Sequence, residues 1–223
     1  MVKRIKEVKM QSPVMQRNDI TAHRNRKIIN EAGLLCINLM SSPGAGKTAL
    51  LERLAERLGN RMAVIEGDVQ TCRDADRVNK AGSCAFQIET GGSCHLDAEA
   101  ISQALERMKP FKDTWQYLVI ENVGNLICPS GFYLGEHIRA GMLSLPEGDD
   151  KILKYPGLFA RIDALLLNKI DLMPYLKFDM ERAERECRSL NPDVRIFRVS
   201  AEKSMGLDEL ISHFAACREE LLS

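Results

Sequence analysis

The chain has 223 residues, with 31 Lys+Arg balanced by 31 Asp+Glu, and a pI near 6.9. Its 45% hydrophobic and 28% charged residues are ordinary for a globular protein and exclude a disordered one, and the lack of a basic excess argues against a dedicated nucleic-acid binder. No apolar run approaches the ~18 residues of a membrane span, and the basic start MVKRIKEVKM leads into no apolar stretch. Neither a membrane segment nor a secretory signal is therefore expected, and the expected location is cytoplasmic.

Residues 1–30 hold eight Lys/Arg and two Asp/Glu and read as an amphipathic N-terminal helical extension. The alternative is a basic arm that grips an acidic partner. From residue 31 to 223 the sequence reads as one domain. Strand patterns at Leu34–Met40, Met62–Glu66, Ala85–Glu89, Tyr117–Glu121, Asp163–Asn168 and Val194–Val199 alternate with helical periodicity. The helical stretches are Thr48–Leu58, Ala98–Met108, Asp179–Leu190 and Leu207–Leu222. Segment 142–161 breaks the alternation and reads as a loop or short hairpin inserted before the Asp163 strand. Strands that are apolar almost throughout, separated by helices, predict an α/β fold: a mostly parallel sheet with helices on both faces, a three-layer sandwich. In such a sheet the segments that follow strands gather on one edge, where ligands bind.

The first such segment is Ser41-Ser42-Pro43-Gly44-Ala45-Gly46-Lys47-Thr48, which matches G-x-x-x-x-G-K-[ST] with serine at the first position. Its glycines let backbone N–H groups wrap phosphate oxygens at a positive helix end, so Gly44, Ala45, Gly46, Lys47, Thr48 and Ala49 form the expected phosphate site. Lys47 is assigned to the β/γ-phosphates and the Thr48 hydroxyl to Mg²⁺. Glu66-Gly67-Asp68 ends the second strand pattern and Glu121-Asn122-Val123-Gly124 the fourth. Carboxylates beside a P-loop suit a hard cation, so Asp68 and Glu121 join Thr48 as magnesium candidates. Asp68 is also the candidate to orient the attacking water, and Gly124 N–H the candidate sensor of the γ-phosphate. Asp74 is a weaker water-orienting candidate, read rather as part of a helix N-terminus capped by Thr71. No switch glutamine and no arginine finger can be assigned, so slow intrinsic hydrolysis is expected.

Seven cysteines (36, 72, 84, 94, 128, 187 and 217) include no C-x-x-C pair and read as free thiols. Thr90-Gly91-Gly92-Ser93-Cys94-His95 follows the third strand pattern, and Cys128-Pro129 lies seven residues beyond Glu121. If those strands are parallel, Cys94, His95 and Cys128 converge as a soft donor set suited to Zn²⁺ or Ni²⁺. On spacing alone, buried structural thiols are the commoner fate, and that reading is kept for Cys36, Cys187 and Cys217. His137 and His213 fall on helical patterns and read as structural or surface residues.

Asn168-Lys169-Ile170-Asp171 resembles the N-K-x-D of GTPases, and Ser200-Ala201 their guanine-contacting S-A loop. An Asp171 carboxylate accepts from guanine N1–H and its 2-amino group, a donor pair adenine lacks. Its alternative role is a helix cap. Lys169 would lie along the base and Asn168 would tie neighbouring loops.

The strings GDVQTCRDADR, TGGSCHLDA, ENVGNLICP and LLLNKIDL resemble the hydrogenase nickel-incorporation GTPases, the HypB family of SIMIBI-class P-loop GTPases, over roughly residues 15–223. The resemblance implies GTP hydrolysis coupled to nickel insertion in [NiFe]-hydrogenase maturation, with Cys94, His95 and Cys128 binding Ni²⁺ or Zn²⁺ at a nucleotide-dependent dimer interface. It implies as partners a second copy in the GTP state, a small zinc-binding accessory protein and the hydrogenase large-subunit precursor. The 223 residues contain neither the CxxCGC-like motif nor the histidine-rich tract of some relatives, so no separate high-affinity nickel site or storage role carries over. Two rivals remain. A urease-type nickel chaperone would carry Cys-Pro-His, where this chain has Cys128-Pro129-Ser130. A P-loop small-molecule kinase would leave Asn168-Lys169-Ile170-Asp171 without a purpose.

Overall fold

A computed structural model describes residues 13–68, 73–89 and 91–223. The sequence expectations that fall on residues 1–12, Thr71, Cys72 and Thr90, and on the side chains of Asp68 and Asp74, lie outside the described part. Seven parallel strands form one sheet: β1 (Leu35–Ser41), β2 (Met62–Asp68), β3 (Cys84–Glu89), β4 (Tyr117–Glu121), β5 (Ile138–Ser144), β6 (Ala164–Asn168) and β7 (Arg195–Arg198). Their spatial order is β3-β2-β4-β1-β5-β6-β7. The principal helices are α1 (Pro13–Glu31), α2 (Lys47–Leu58), α3 (Arg73–Lys80) and α4 (Ala98–Met108). They are followed by α5 (Lys151–Lys154), α6 (Pro156–Phe159), α7 (Met180–Leu190) and α8 (Leu207–Leu222).

The period-2 alternation of a strand explains the layers. On β1, Leu35, Ile37 and Leu39 face a core shared with α2 and α8, through Leu50, Leu54, Leu210 and Phe214. Cys36 faces the opposite core with Ile29 of α1, Ile101 and Leu105 of α4, and Trp115. A further cluster under α6 and α7 packs Leu165 and Leu167 of β6 against Phe159 and Cys187. With both faces covered, the central strands β1 and β4 are buried at every position, as their apolar runs require. Among the described residues no helix is long and apolar enough to cross a membrane.

Two expectations are corrected. Residues 142–144 are not the start of a loop or hairpin but the end of β5, a strand the sequence reading missed; short helical turns follow it. Arg139 and Gly141 interrupt its apolar pattern, yet the small residue has a packing reason. A Cβ on Gly141 would stand 3.0 and 3.1 Å from two carbons of Ile162. His137, in turn, lies on no helix but at the entry to β5, where its Nδ1 accepts from Cys36 N–H at 2.9 Å and its Nε2 bonds Asn30 Oδ1 at 2.8 Å.

Because every strand is parallel and β1 is central, its carboxyl end is flanked by the ends of β4 and β5. β2 and β3 lie beyond β4 on one side, and β6 and β7 beyond β5 on the other.

Candidate functional site

The loop between β1 and α2 is built on glycines in conformations other residues avoid. Gly44 has φ +75° and Gly46 φ +99°, and a Cβ on Gly46 would stand 2.7 Å from Asn168 Nδ2. Lys47 is largely buried and its Nζ donates to Ser41 Oγ at 3.0 Å. That bond gives a purpose to the serine at the first motif position. The next residue is fastened as well, since Ser42 Oγ donates to Glu147, just beyond β5. A cleft of about 550 Å³ opens over this loop and is lined by Lys47, Thr48, Ala49, Glu121 and Gly124. Thr48 Oγ1 donates to Glu121 Oε1 at 3.3 Å, so the hydroxyl and carboxylate expected to serve magnesium face each other. Gly124 lies directly against the P-loop, where a Cβ would meet Pro43 N at 3.0 Å and Cα at 3.1 Å.

The cleft holds two residues that sequence reading gave no role. Glu66, buried at the end of β2, lines its wall. Arg77 of α3 lines it too, with its guanidinium gripping both carboxylate oxygens of Glu52 at 2.7 Å. Glu66 belongs to the Glu66-Gly67-Asp68 strand end and Arg77 closes the string GDVQTCRDADR, but only the packing of α3 against α2 brings Arg77 to the cleft.

On the other side of β1, Asn168 at the end of β6 is buried and bridges two loops. Its Nδ2 donates to Ala45 O at 2.9 Å and its Oδ1 accepts from Ala201 N–H at 3.2 Å. Lys169, held at φ +64°, reaches back so that Nζ donates to Gly44 O at 2.8 Å. Asp171 Oδ1 accepts from Ser200 Oγ at 2.5 Å, and Ser200 Oγ accepts in turn from Lys203 N–H at 3.1 Å. The base-recognition motif, the S-A loop and the P-loop are thus one hydrogen-bonded assembly.

Cys94, His95 and Cys128 meet. One ligand atom from each lies within 4.8 Å of the other two, and Cys94 Sγ is 3.5 Å from His95 Nδ1. A hydrogen bond with Cys128 holds the Cys94 thiol above its ordinary value, while burial holds the His95 imidazole below its own. Burial thus favours the neutral imidazole, the form that ligates a metal. His95 is backed by Phe132, with ring centroids 4.0 Å apart. Two thiols and an imidazole form a soft donor set with room left for a further ligand. The remaining described cysteines are apart from it. Cys36 and Cys187 are buried, with Cys187 pushed up to about 11 by burial, and Cys217 is half-buried on α8. His213, also on α8, packs against Phe197.

The chain matches the family model described as "CobW/HypB/UreG, nucleotide-binding domain" over residues 35–198. It is 45% identical over 207 residues to the hydrogenase maturation factor HypB of Azotobacter vinelandii, covering 92% of this chain and 68% of that protein. It is 41% identical over 206 residues to the hydrogenase/urease maturation factor HypB of Helicobacter pylori, covering 92% and 85%. Its fold is similar to the crystal structure of HypB from Helicobacter pylori in complex with nickel, with a TM-score of 0.88 at 40% identity over 92% of this chain and 96% of that one. A matching family model across most of the sheet, together with relatives above 40% identity along nearly the whole chain, establishes that this protein belongs to the HypB family of SIMIBI-class P-loop GTPases.

Proposed function

We propose that this chain is a GTP-hydrolysing metallochaperone that inserts nickel during [NiFe]-hydrogenase maturation. The observation that carries the reading is the Cys94–His95–Cys128 cluster, formed by the loops that follow β3 and β4, two strands on either side of β2. A nucleotide-binding fold alone would need no such donor set. Membership of the HypB family adds weight, since the relatives are named for hydrogenase maturation.

The chemistry of the cleft follows from its residues. P-loop N–H groups and Lys47 bind and neutralise the β/γ-phosphates. Gly124 N–H reads the γ-phosphate, and Asp68 orients the water that attacks it. The Asp171 carboxylate selects guanine, pre-set by Ser200. Mg²⁺ fits the oxygen donors Thr48 and Glu121, with Asp68 as a further carboxylate; there the ion would supply charge neutralisation of the phosphate oxygens. Ni²⁺ is the cargo in this reading, and Zn²⁺ suits the same ligands.

Glu121 and Gly124 share one segment with Cys128, so ordering of that segment by GTP brings Cys128 to Cys94 and His95. Hydrolysis releases it, an order–disorder switch. The expected partners are a second copy in the GTP state, a small zinc-binding accessory protein and the hydrogenase large-subunit precursor, in the cytoplasm. The test is titration of the purified chain with Ni²⁺ and Zn²⁺ in GDP and in a non-hydrolysable GTP analogue, following mass and metal stoichiometry together. About one metal per chain or per dimer, shifted by nucleotide and lost in Cys94→Ala, is expected. Metal binding indifferent to both nucleotide and Cys94 refutes the reading.

A further inference from the structure

Asn122 lies between Glu121, the magnesium candidate, and Gly124, the candidate sensor of the γ-phosphate, and is 1% exposed. Its side chain is fully engaged. Oδ1 accepts from Val123 N–H at 3.0 Å and from Leu96 N–H at 3.2 Å, and Nδ2 donates to Asn38 Oδ1 at 3.2 Å. Two backbone N–H groups facing one end of the amide fix which end is oxygen, since a backbone N–H can only donate. The direction then propagates. Asn38 Nδ2 donates to Glu136 Oε1 at 3.4 Å, and Glu136 Oε2 accepts from Leu134 N–H at 2.7 Å. Leu134 is two residues past Phe132, the ring that backs His95.

Leu96 is the other half of the link. It follows His95 directly, and its side chain rests on Gly67 at the end of β2, where a Cβ would stand 2.7 Å from Leu96 Cγ and Cδ1. One residue of the metal loop is therefore pinned to the ends of both strands that flank the phosphate cleft: by a hydrogen bond to β4's last turn and by contact with β2.

We infer that Asn122 is a positioning residue that couples the nucleotide cleft to the Cys94–His95 arm of the metal site through Leu96. The inference rests on the nucleotide-gated reading above and adds a second route to it. Cys128 answers to the nucleotide because it shares a segment with Gly124; Cys94 and His95 answer because Asn122 carries any displacement of Val123 to the backbone of Leu96. Both arms of the metal site then move with one loop, and the shift acts reciprocally on the two ligands.

The test measures the affinity of Ni²⁺, followed through its thiolate charge-transfer absorption, in the GDP and GTP-analogue forms. Wild type is expected to show at least about a fivefold ratio between the two states. In Asn122→Ala the ratio falls to half the wild-type value or less but stays above unity, because Cys128 still shares its segment with Gly124, while nickel affinity without nucleotide stays within threefold of wild type. Asn122→Asp is no rescue, since its second oxygen faces Asn38 Oδ1 and the Asn38 amide is held from turning by its bond to Glu136 Oε1. Leu96→Ala reduces the ratio without touching a ligand. A wild type that couples alongside an Asn122→Ala protein that couples equally overturns this inference and leaves the gated reading standing. A wild type with equal nickel affinity in both states overturns both. Should Asn122→Ala not fold, Asn122→Ser decides, since its shorter side chain gives up Leu96 N–H: an unchanged ratio there refutes the relay.

Discussion

Replacing Asn168 with alanine removes a side chain that fastens the P-loop to the S-A loop. Two buried backbone groups lose their partners: Ala45 O, held at 2.9 Å, and Ala201 N–H, held at 3.2 Å. An unsatisfied buried polar group costs about 1–3 kcal/mol, and a water entering the vacated space recovers part of it, so the expected loss is about 2–4 kcal/mol. For a chain of this size each kcal/mol lowers Tm by about 2–4 °C, so differential scanning calorimetry should find a drop of roughly 5–15 °C. Asn168→Asp should fare no better, since it keeps the acceptor for Ala201 but sets a carboxylate oxygen against Ala45 O. Added GDP should raise Tm less in the alanine variant than in wild type, because the tether it removes shapes the nucleotide site. The partner of the tether supplies a second check. Gly46→Ala suffers both from φ +99° and from its approach to Asn168 Nδ2, and only the second disappears in the Asn168→Ala background. The double variant should therefore lose less than the sum of the singles. An alanine variant within about 1 kcal/mol of wild type, or strictly additive singles, would refute the reasoning.

Gly124→Ala forces a methyl to 3.0–3.1 Å from Pro43 and displaces the loop that reads the γ-phosphate, so GTP-analogue affinity should fall at least tenfold more than GDP affinity by calorimetric titration. Asp171→Asn exchanges an acceptor for an amide facing guanine N1–H, and GDP affinity should fall roughly 100-fold; retention of affinity would remove Asp171 from base recognition. Burial and the Arg26 guanidinium hold the His137 imidazole down at about 4, against 6.5 in the unfolded chain. Below pH 6.5 the unfolded state takes up a proton the folded one refuses, so stability is constant above that pH as far as this group is concerned and falls as pH drops toward 4. The slope should stay below about 1.4 kcal/mol per pH unit, reduced by partial exposure, and His137→Gln should flatten it in urea titrations.

What was legible in the sequence was what lies contiguously in it. The P-loop and Asn168–Asp171 each fit in eight residues or fewer, and their strand-end positions follow from hydrophobic runs that match the observed strands to within two residues. Strand order was not legible, because alternation of strand and helix leaves neighbours unspecified. Everything that depends on β2 lying beside β4 therefore had to come from the structure: Leu96 against Gly67, Asn122 gripping Leu96, and Glu66 in the cleft wall. β5 was hidden by Arg139, whose side chain bonds Glu136 three residues back, and by Gly141, whose lack of a side chain makes room for Ile162, rather than following strand propensity. Cys94 and Cys128 were a weak pair on spacing, since nothing local measures the distance between two loops.

The anchoring of α1 bears on how the molecule is made. Asn18 waits for Tyr133 O, 115 residues later, and its Oδ1 closes the N-terminus of α4 by accepting from Ala98 N–H. Asn25 bonds Ala98 O and Leu134 O, 73 and 109 residues downstream, and Arg26 waits as long for Gly135 O. At a synthesis rate of about 5–20 residues per second, the helix emerges roughly 6–23 s before its last acceptor exists. α1 is thus translated early and docked late, and through that interval α4, the helix that leaves the His95 loop, has no cap from Asn18. Crowded translation, a slowed ribosome or a chaperone that shields the Asn18–Ala22–Asn25–Ile29 face of α1 would act on this one step before any nucleotide or metal is in play.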